Sequence, residues 1–346
     1  MNKLRLFNFL ASSAWVFFFY LFYTLHPYFA RYFSGHYFFF GVDVYITTVF
    51  SFVVFFYIIG LFFLFSFDSN STKSKSLIAV TAIQVLFFGG SLSKIEKMAL
   101  LSILLKGFYA PLMIAWFIGH SADMLFHLSY VYQHANLIID DFQAIFQSHL
   151  YWLIFQIILF FDVLFFTFGY LVELPFLQNQ IKSVETTVLG WAVALACYPP
   201  FNDVTLKLFA WHSTDFPKFE NSWLFYFFSF LLLFCMGVYS WASWSLGLKA
   251  SNLTHRGIVS TGAYSFVRHP AYFFKNFAWW VGGIPAIIAG FNRDFSDGFY
   301  IIFCLAGWST LYFLRAITEE RHLMTVDDDY SVYCQKVRYR FIPFLI

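Results

Sequence analysis

Long apolar runs separated by short polar segments dominate the chain. Crossing ~30 Å of hydrocarbon as an α-helix at ~1.5 Å per residue takes roughly 20 apolar residues, so a run of that length predicts a membrane span. Eight runs qualify: 6–25, 42–67, 98–119, 149–172, 184–200, 222–246, 273–290 and 298–317. The pattern therefore predicts an all-α, polytopic helical membrane protein with about eight transmembrane helices.

A ninth apolar run, 77–92, is shorter and contains Gln84 and the pair Gly89-Gly90. Positive charges flank it on both sides, at Lys73, Lys75, Lys94 and Lys97. If this run does not cross the membrane, segment 121–148 lies outside the cytoplasm and the basic C-terminal positions lie inside. Segment 121–148 has no Lys or Arg, so this arrangement satisfies the positive-inside rule. We therefore expect a re-entrant or interfacial segment here, with both termini cytoplasmic.

Composition supports an integral membrane, multi-pass protein. Hydrophobic residues make up 60% of the 346 residues and charged residues only 12%, which is too apolar for a soluble globule. The net charge of +2 is small and spread along the chain, so we expect no nucleic-acid partner. The four cysteines form no CxxC pair and no metal-ligand spacing, and we predict no metal site.

Two polar segments, 254–272 and 318–323, interrupt the apolar pattern near the C-terminus. Ionisable residues are costly beside hydrocarbon, so such a cluster favours a functional site. Pro270 stands where the next helix would begin, a position that tolerates its missing amide hydrogen. Arg268 and His269 are therefore expected at the cytoplasmic mouth of that helix.

The last two apolar runs are predicted to bring their polar ends together. Only 291–297 joins them, so the two helices must be antiparallel neighbours. Arg315, Glu319 and His322 are spaced i, i+4 and i+7 and form one stripe on the second helix. We therefore expect this stripe to face the start of the helix that Pro270 opens.

These polar segments carry a set of motifs: Gly262-Ala263-Tyr264, Arg268-His269-Pro270-Ala271-Tyr272, Glu319-Glu320-Arg321, Tyr330, Tyr333 and Tyr339-Arg340-Phe341-Ile342-Pro343. The set resembles the C-terminal region of the isoprenylcysteine carboxyl methyltransferases and phospholipid N-methyltransferases, which are integral membrane enzymes. The resemblance is confined to 184–346 at most. We accordingly divide the chain into an N-terminal transmembrane bundle of unknown role, 1–183, and a methyltransferase-like region, 184–346.

The resemblance implies that these motifs enclose S-adenosylmethionine at the cytoplasmic face, while a lipid or lipidated acceptor enters from the bilayer. It implies Arg268, His269 and Glu319 as catalytic residues. His269 is needed as a base only for an amine acceptor, whose proton must leave. The cofactor-binding residues implied by the resemblance are Gly262, Tyr264, Arg268, His269, Pro270, Tyr272, Glu319, Glu320 and Tyr330.

The chemistry of S-adenosylmethionine is compatible with these residues. The cofactor carries a sulfonium, an amino group and a carboxylate, so its pocket needs a cation, an anion and an aromatic surface. Arg268, either Glu319 or Glu320, and either Tyr264 or Tyr272 can supply that set. Methyl transfer depends mainly on in-line positioning.

Two departures from the family pattern and a rival resemblance leave alternatives open. Ala263 and Phe274 stand where family members commonly have proline and glycine. The ending 333–343 also resembles membrane sterol double-bond reductases, which bind NADPH, but 256–262 and 318–321 favour methyl transfer. A non-catalytic membrane role is the third alternative. The acceptor stays open between a prenylated cysteine carboxylate, a phospholipid amine and a small isoprenoid or quinone-like alcohol.

Overall fold

The computed structural model describes residues 2–39, 42–67, 72–135, 141–342 and 345. The protein is 75% helical, which confirms the predicted helical fold class, and its strands are confined to two short ribbons in the described residues. Within the described residues, six helices are long and apolar enough to cross a membrane, as expected for a multi-pass membrane protein. They are Lys3–Leu25, Ile46–Phe67, Lys94–Gln133, Phe142–Leu171, Ser222–Lys249 and Phe295–Val326.

The predicted count of eight spans is wrong by this measure, for two different reasons. Run 184–200 forms only the eight-residue helix Val188–Leu195, about 12 Å long, which is too short to cross. Run 273–290 lies in a 24-residue helix, Pro270–Arg293, which is long enough. That helix is not apolar enough to count, because Lys275 and Asn276 interrupt its apolar sequence.

The doubtful run 77–92 forms the 13-residue helix Lys75–Phe87. At ~1.5 Å per residue this helix reaches only about 20 Å, short of the ~30 Å hydrocarbon core. Its N-terminus is capped by Ser74, whose side chain accepts a hydrogen bond from the Leu77 amide at 3.2 Å. A re-entrant or interfacial position for this helix stays a prediction.

The described chain forms two compact units, of which the first comprises 1–122 with 170–173. Its helices are α1 (Lys3–Leu25), α2 (Pro27–Ala30), α3 (Ile46–Phe67), α4 (Lys75–Phe87) and the first part of α5 (Lys94–Gln133). Strands β1 (His36–Phe39) and β2 (Val42–Tyr45) pair antiparallel ahead of α3. Helices α3 and α4 both pack against α1.

A carboxylate that is mostly shielded from solvent, with its side chain 13% exposed, holds part of the first unit together. Glu173 forms ion pairs with Lys75 of α4 and Lys106 of α5. Burial alone would raise the pKa of Glu173, but the two ammonium groups outweigh it and hold the pKa below its usual range. The Glu173 carboxylate is therefore ionised at neutral pH.

The second unit comprises 123–169 with 174–346 and contains the predicted motifs. It contains the rest of α5, α6 (Phe142–Leu171) up to Gly169, α7 (Val188–Leu195), α8 (Asn202–Leu208), α9 (Ser222–Leu246), α10 (Pro270–Arg293), α11 (Phe295–Val326) and α12 (Asp329–Lys336). Strands β3 (Ser183–Val184) and β4 (Thr254–His255) form an antiparallel ribbon. The boundary predicted at residue 183 separates regions by their expected role, and that separation stays a prediction. The compact units divide the chain differently, because they group 123–169 with the C-terminal part.

Helix α10 is the centre of the second unit, because both α9 and α11 pack along it. A buried polar group lies among the apolar side chains of this bundle. Asp162 of α6 accepts hydrogen bonds from Ser243 and from the Tyr239 hydroxyl of α9, the latter at 2.6 Å. Tyr239 in turn accepts a hydrogen bond from Lys275 of α10 at 3.5 Å. We call these four residues the Asp162 network.

Candidate functional site

The start of α10 and the C-terminal part of α11 come together, as the short connection between them predicts. Pro270 is the first residue of α10, and His269 precedes it as the N-cap. The Tyr272 hydroxyl donates a hydrogen bond to Glu319 Oε2 at 2.8 Å. His269 Nε2 lies 3.2 Å from Glu320 Oε1. The two predicted polar segments therefore meet at one place in the fold.

Glu320 is the centre of an ion-pair cluster with three basic residues. It is 3% exposed, and its Oε1 lies 3.1 Å from Arg268 Nε and 3.2 Å from His269 Nε2. Its Oε2 lies 2.8 Å from Arg340 Nε. Burial alone would lower the pKa of Arg268, but a hydrogen bond to Cys334 and the Glu320 charge raise it above its usual value. The residues of the Glu320 cluster are thus engaged with one another.

The C-terminal segment is hydrogen-bonded to the loop before α10. The Arg268 amide donates to the Tyr339 carbonyl at 2.9 Å, and the His269 amide donates to the Arg340 carbonyl at 2.8 Å. The Tyr333 hydroxyl donates to the Tyr264 carbonyl at 2.8 Å. The closing motif therefore fixes the position of Arg268 and His269; its last residue, Pro343, lies outside the described residues.

A cavity opens beside this cluster, between α7, the β3–β4 ribbon, α10 and α11. Its enclosed volume is about 30 Å³, and the space including its opening to solvent is about 370 Å³. Its walls are formed by Glu185, Gly190, Ala194, Leu253, Thr254, Tyr272, Arg315, Thr318, Glu319, His322 and Leu323. The predicted stripe of Arg315, Glu319 and His322 thus lines one cavity, which we call the Arg315 cavity.

Arg315 is a buried cation in the wall of this cavity. It is 4% exposed, and Nη2 donates a hydrogen bond to Asn252 Oδ1 at 2.9 Å. Its guanidinium carbon lies 4.9, 5.1 and 5.8 Å from the ring centroids of Tyr312, Tyr272 and Tyr198, respectively. No carboxylate of the described residues forms an ion pair with it. A buried cation with only neutral partners favours an anionic ligand.

Two acidic residues and a histidine also line the cavity. Glu319 is exposed, whereas Glu185 is buried, with its Oε1 accepting a hydrogen bond from the Thr187 amide at 2.7 Å. His322 is buried, with Nε2 3.0 Å from Ser183 Oγ and Nδ1 4.0 Å from Glu185 Oε2. The Arg315 cavity therefore presents one cation, two carboxylates and a tyrosine ring to the same space.

Of the predicted site residues, only Tyr272 and Glu319 line the Arg315 cavity. Arg268, His269 and Glu320 lie in the adjoining ion-pair cluster, and Tyr330 packs with Tyr333 in a small apolar cluster beside them. Pro270 begins α10 without lining the cavity.

Gly262 and Tyr264 belong to the 3₁₀ turn Gly262–Ser265 before α10. Gly262 has a φ of +61°, and a Cβ there would lie 2.2 Å from Ser245 Oγ. Only glycine fits both constraints without strain. Burial raises the pKa of Tyr264 well above its usual value, so its phenol is neutral. The glycine of this motif is therefore explained by close packing.

Sequence reasoning missed Glu185 as part of the site and gave Arg315 no chemical role. Glu185 directly follows β3 and reaches the cavity because the ribbon pairs 183–184 with 254–255. That pairing joins segments about seventy residues apart, and no local spacing signals it. Arg315 did carry a signal, as an arginine inside an apolar helix.

Comparison of the chain with models of protein families, with curated proteins and with solved structures finds no match. Support for a function therefore comes from the geometry of the Arg315 cavity and of the Glu320 cluster.

Proposed function

We propose that the protein is an integral membrane methyltransferase that uses S-adenosylmethionine to methylate a lipophilic acceptor. The observation that supports this most strongly is the Arg315 cavity, where a buried cation with neutral partners lies in the same wall as two carboxylates. The resemblance of the surrounding motifs to isoprenylcysteine carboxyl and phospholipid methyltransferases supports the same function.

The charges of the cavity fit the polar groups of the cofactor. Arg315 suits its carboxylate, and Glu319 or Glu185 suits its amino group, because charge-assisted hydrogen bonds are the strong ones. The Tyr272 ring already has the Arg315 guanidinium 5.1 Å and the His269 ring 5.4 Å from its centroid, so the cavity carboxylates are the groups that suit the positive sulfonium. Ligand pockets commonly enclose ~300–1,000 Å³, so the enclosed volume of about 30 Å³ is too small for a nucleoside as it stands. Movement of flexible lining side chains such as Glu319 must enlarge its interior to admit a nucleoside.

The residues act mainly by positioning. The bound sulfonium supplies an electrophilic methyl group, and the protein must hold that group in line with the acceptor atom. The Glu320 cluster fixes the start of α10, which carries Tyr272, so Arg268, His269 and Glu320 act in this proposal as positioning residues. His322, held by Ser183, is the lining residue suited to take a proton from an amine or hydroxyl acceptor.

The acceptor reaches the cavity from the bilayer in this proposal, and the motif region faces the cytoplasm. The Lys and Arg residues that flank the motif segments support that orientation under the positive-inside rule. The acceptor is a prenylated cysteine carboxylate, a phospholipid amine or a related lipid. NADPH fits the Arg315 cavity less well, because two carboxylates in its wall oppose the phosphates of that cofactor.

Equilibrium binding of radiolabelled S-adenosylmethionine and of NADPH to the detergent-solubilised protein tests the proposal. We expect S-adenosylmethionine to bind and NADPH not to bind. Glu319→Gln should weaken binding about tenfold, the effect of one charge-assisted hydrogen bond. Glu220→Gln is the matched control, since Glu220 is exposed and does not line the cavity.

Binding of NADPH alone would replace the proposal with a membrane double-bond reductase. Binding of neither compound would favour a non-catalytic membrane protein. Equal weakening by Glu319→Gln and Glu220→Gln would show that the Arg315 cavity is not the cofactor site.

A further inference from the structure

Two lysine side chains converge on one point at the surface of the second unit. The Nζ atoms of Lys249 and Lys182 lie 3.3 and 3.7 Å from the position that a Cβ on Gly257 would occupy. Gly257 has a φ of +102°, a conformation that favours glycine. Because glycine has no side chain, the point between the two ammonium groups is left open. We call Lys182 and Lys249 the lysine pair.

The lysine pair has no acidic counterpart in the described part of the chain. Neither lysine forms an ion pair with a described carboxylate, and the nearby Asp327 is taken by His255 Nε2 at 2.7 Å. The pKa of His255 is lowered, mainly by burial. The Asp327 carboxylate acts to raise this pKa, and the positive charge of Lys182 acts to lower it. Two like charges held together repel each other, and an anion between them would remove that repulsion.

The location of the lysine pair suits a phosphate group. Lys249 ends the 3₁₀ turn Gly247–Lys249, directly after the apolar helix α9. The end of an apolar span is the level at which lysines meet lipid headgroups. Lys182 precedes β3, and its amide donates a hydrogen bond to the His255 carbonyl at 2.8 Å. The lysine pair therefore lies at one end of the ribbon whose other end lines the Arg315 cavity.

We propose that Lys182 and Lys249 form a binding site for a phosphate group, supplied by a lipid headgroup or by a soluble phosphate compound. The site is separate from the Arg315 cavity. At ~3.3 Å per residue along an extended strand, Lys182 is about 10 Å from Glu185. The inference does not depend on methyltransferase activity.

Binding of dioctanoyl phosphatidic acid to the detergent-solubilised full chain tests this site. Dioctanoylglycerol, which has the same acyl chains and no phosphate, is the reference lipid. The variant is Lys182→Gln with Lys249→Gln. The control is Lys207→Gln with Lys336→Gln, two exposed lysines elsewhere on the second unit that remove the same net charge.

We expect the phosphate lipid to bind better than the reference lipid. The lysine-pair variant should lose about tenfold or more in affinity, and the control should change less than about twofold, because only the pair contacts the phosphate. Competition by inorganic phosphate distinguishes a lipid headgroup from a soluble phosphate compound as the source of the phosphate group. Displacement of the lipid would identify a soluble phosphate compound, and no displacement would identify a lipid headgroup.

Equal binding of the two lipids, or equal losses in the variant and the control, would overturn the proposal. The thermal midpoint of the variant gives a second readout. Without phosphate it should equal or exceed the wild-type midpoint, because removing the lysine pair removes a repulsion. A lowered midpoint would show that the pair stabilises the fold instead. Retained S-adenosylmethionine binding by this variant keeps the two proposals distinguishable.

Discussion

Replacing Arg315 with methionine separates a ligand-binding role from a structural one. Methionine is unbranched and flexible, so it fills most of the same space without the charge. A residue that holds the fold together should unfold the protein when it is replaced. A residue kept for a ligand should lose that ligand while the protein stays folded. The surroundings of Arg315 predict the second outcome.

The magnitude follows from the contacts of Arg315. The variant loses the hydrogen bond to Asn252, worth about 1–2 kcal/mol, and the closest cation–π contacts, with Tyr312 and Tyr272, worth about 1 kcal/mol each. It also removes a buried charge that has no carboxylate partner among the described residues, and the desolvation penalty of such a charge is several kcal/mol. These terms offset, so we expect the free energy of unfolding to change by less than about 2 kcal/mol.

The effect on the ligand should be larger. A hydrogen bond between a guanidinium and a carboxylate contributes about 1.5–3 kcal/mol, so Arg315→Met should weaken S-adenosylmethionine binding about tenfold to 150-fold. Thermal unfolding in detergent and equilibrium binding of the labelled cofactor measure the two quantities on the same sample. Wild-type affinity in a folded variant would refute the role of Arg315. A loss of stability well above 2 kcal/mol would refute the reasoning on its charge.

Three further predictions concern stability. Glu320→Gln should lower the free energy of unfolding by about 3 kcal/mol, because three basic groups lose a buried partner. Glu319→Gln, at an exposed position, should lower it by less than about 1 kcal/mol. Equal thermal midpoints for the two variants would contradict this prediction. Because the folded-state pKa of Glu173 is depressed, its contribution to stability is present at neutral pH and lost as pH falls below the usual carboxyl pKa. Unfolding of wild type and Glu173→Gln between pH 7 and 3 checks this, and parallel pH profiles would contradict it. Gly262→Ala should lower the free energy of unfolding by about 1–2 kcal/mol, because of the positive φ at this position and the contact of the new Cβ with Ser245. Adding Ser245→Gly should restore part of the loss in thermal midpoint. A double variant with no recovery of the midpoint would exclude the contact as a cause.

Local spacing predicted part of the site. The stripe of Arg315, Glu319 and His322 follows from helical periodicity, and the structure places all three in the wall of one cavity. The meeting of the α10 and α11 ends follows from their short connection. Both inferences rest on residues close in sequence, where the geometry of a helix or a hairpin decides the arrangement.

The parts that sequence did not predict depend on long-range pairing or on where an apolar run folds back. Arg340 pairs with Glu320 because the closing segment lies beside the loop before α10. Glu185 reaches the cavity through pairing of β3 with β4. Run 184–200 has the composition of a span, but its helix ends at Leu195, ahead of Pro199 and Pro200. Hydropathy measures the preference for lipid and does not show where a chain turns.

The Asp162 network has a consequence for how the second unit reaches a single arrangement. Apolar helices rich in phenylalanine can slide past one another at little cost, since many rings fill the same gaps about equally well. Moving α6 by one turn, about 5.4 Å, would leave the Asp162 carboxylate without its hydroxyl donors in an apolar surrounding. One acidic side chain thus sets the axial register of α6 and α9. A variant with leucine at that position is expected to insert normally and then sample several helix alignments, a heterogeneity visible as broadened or multiple signals in solution spectra.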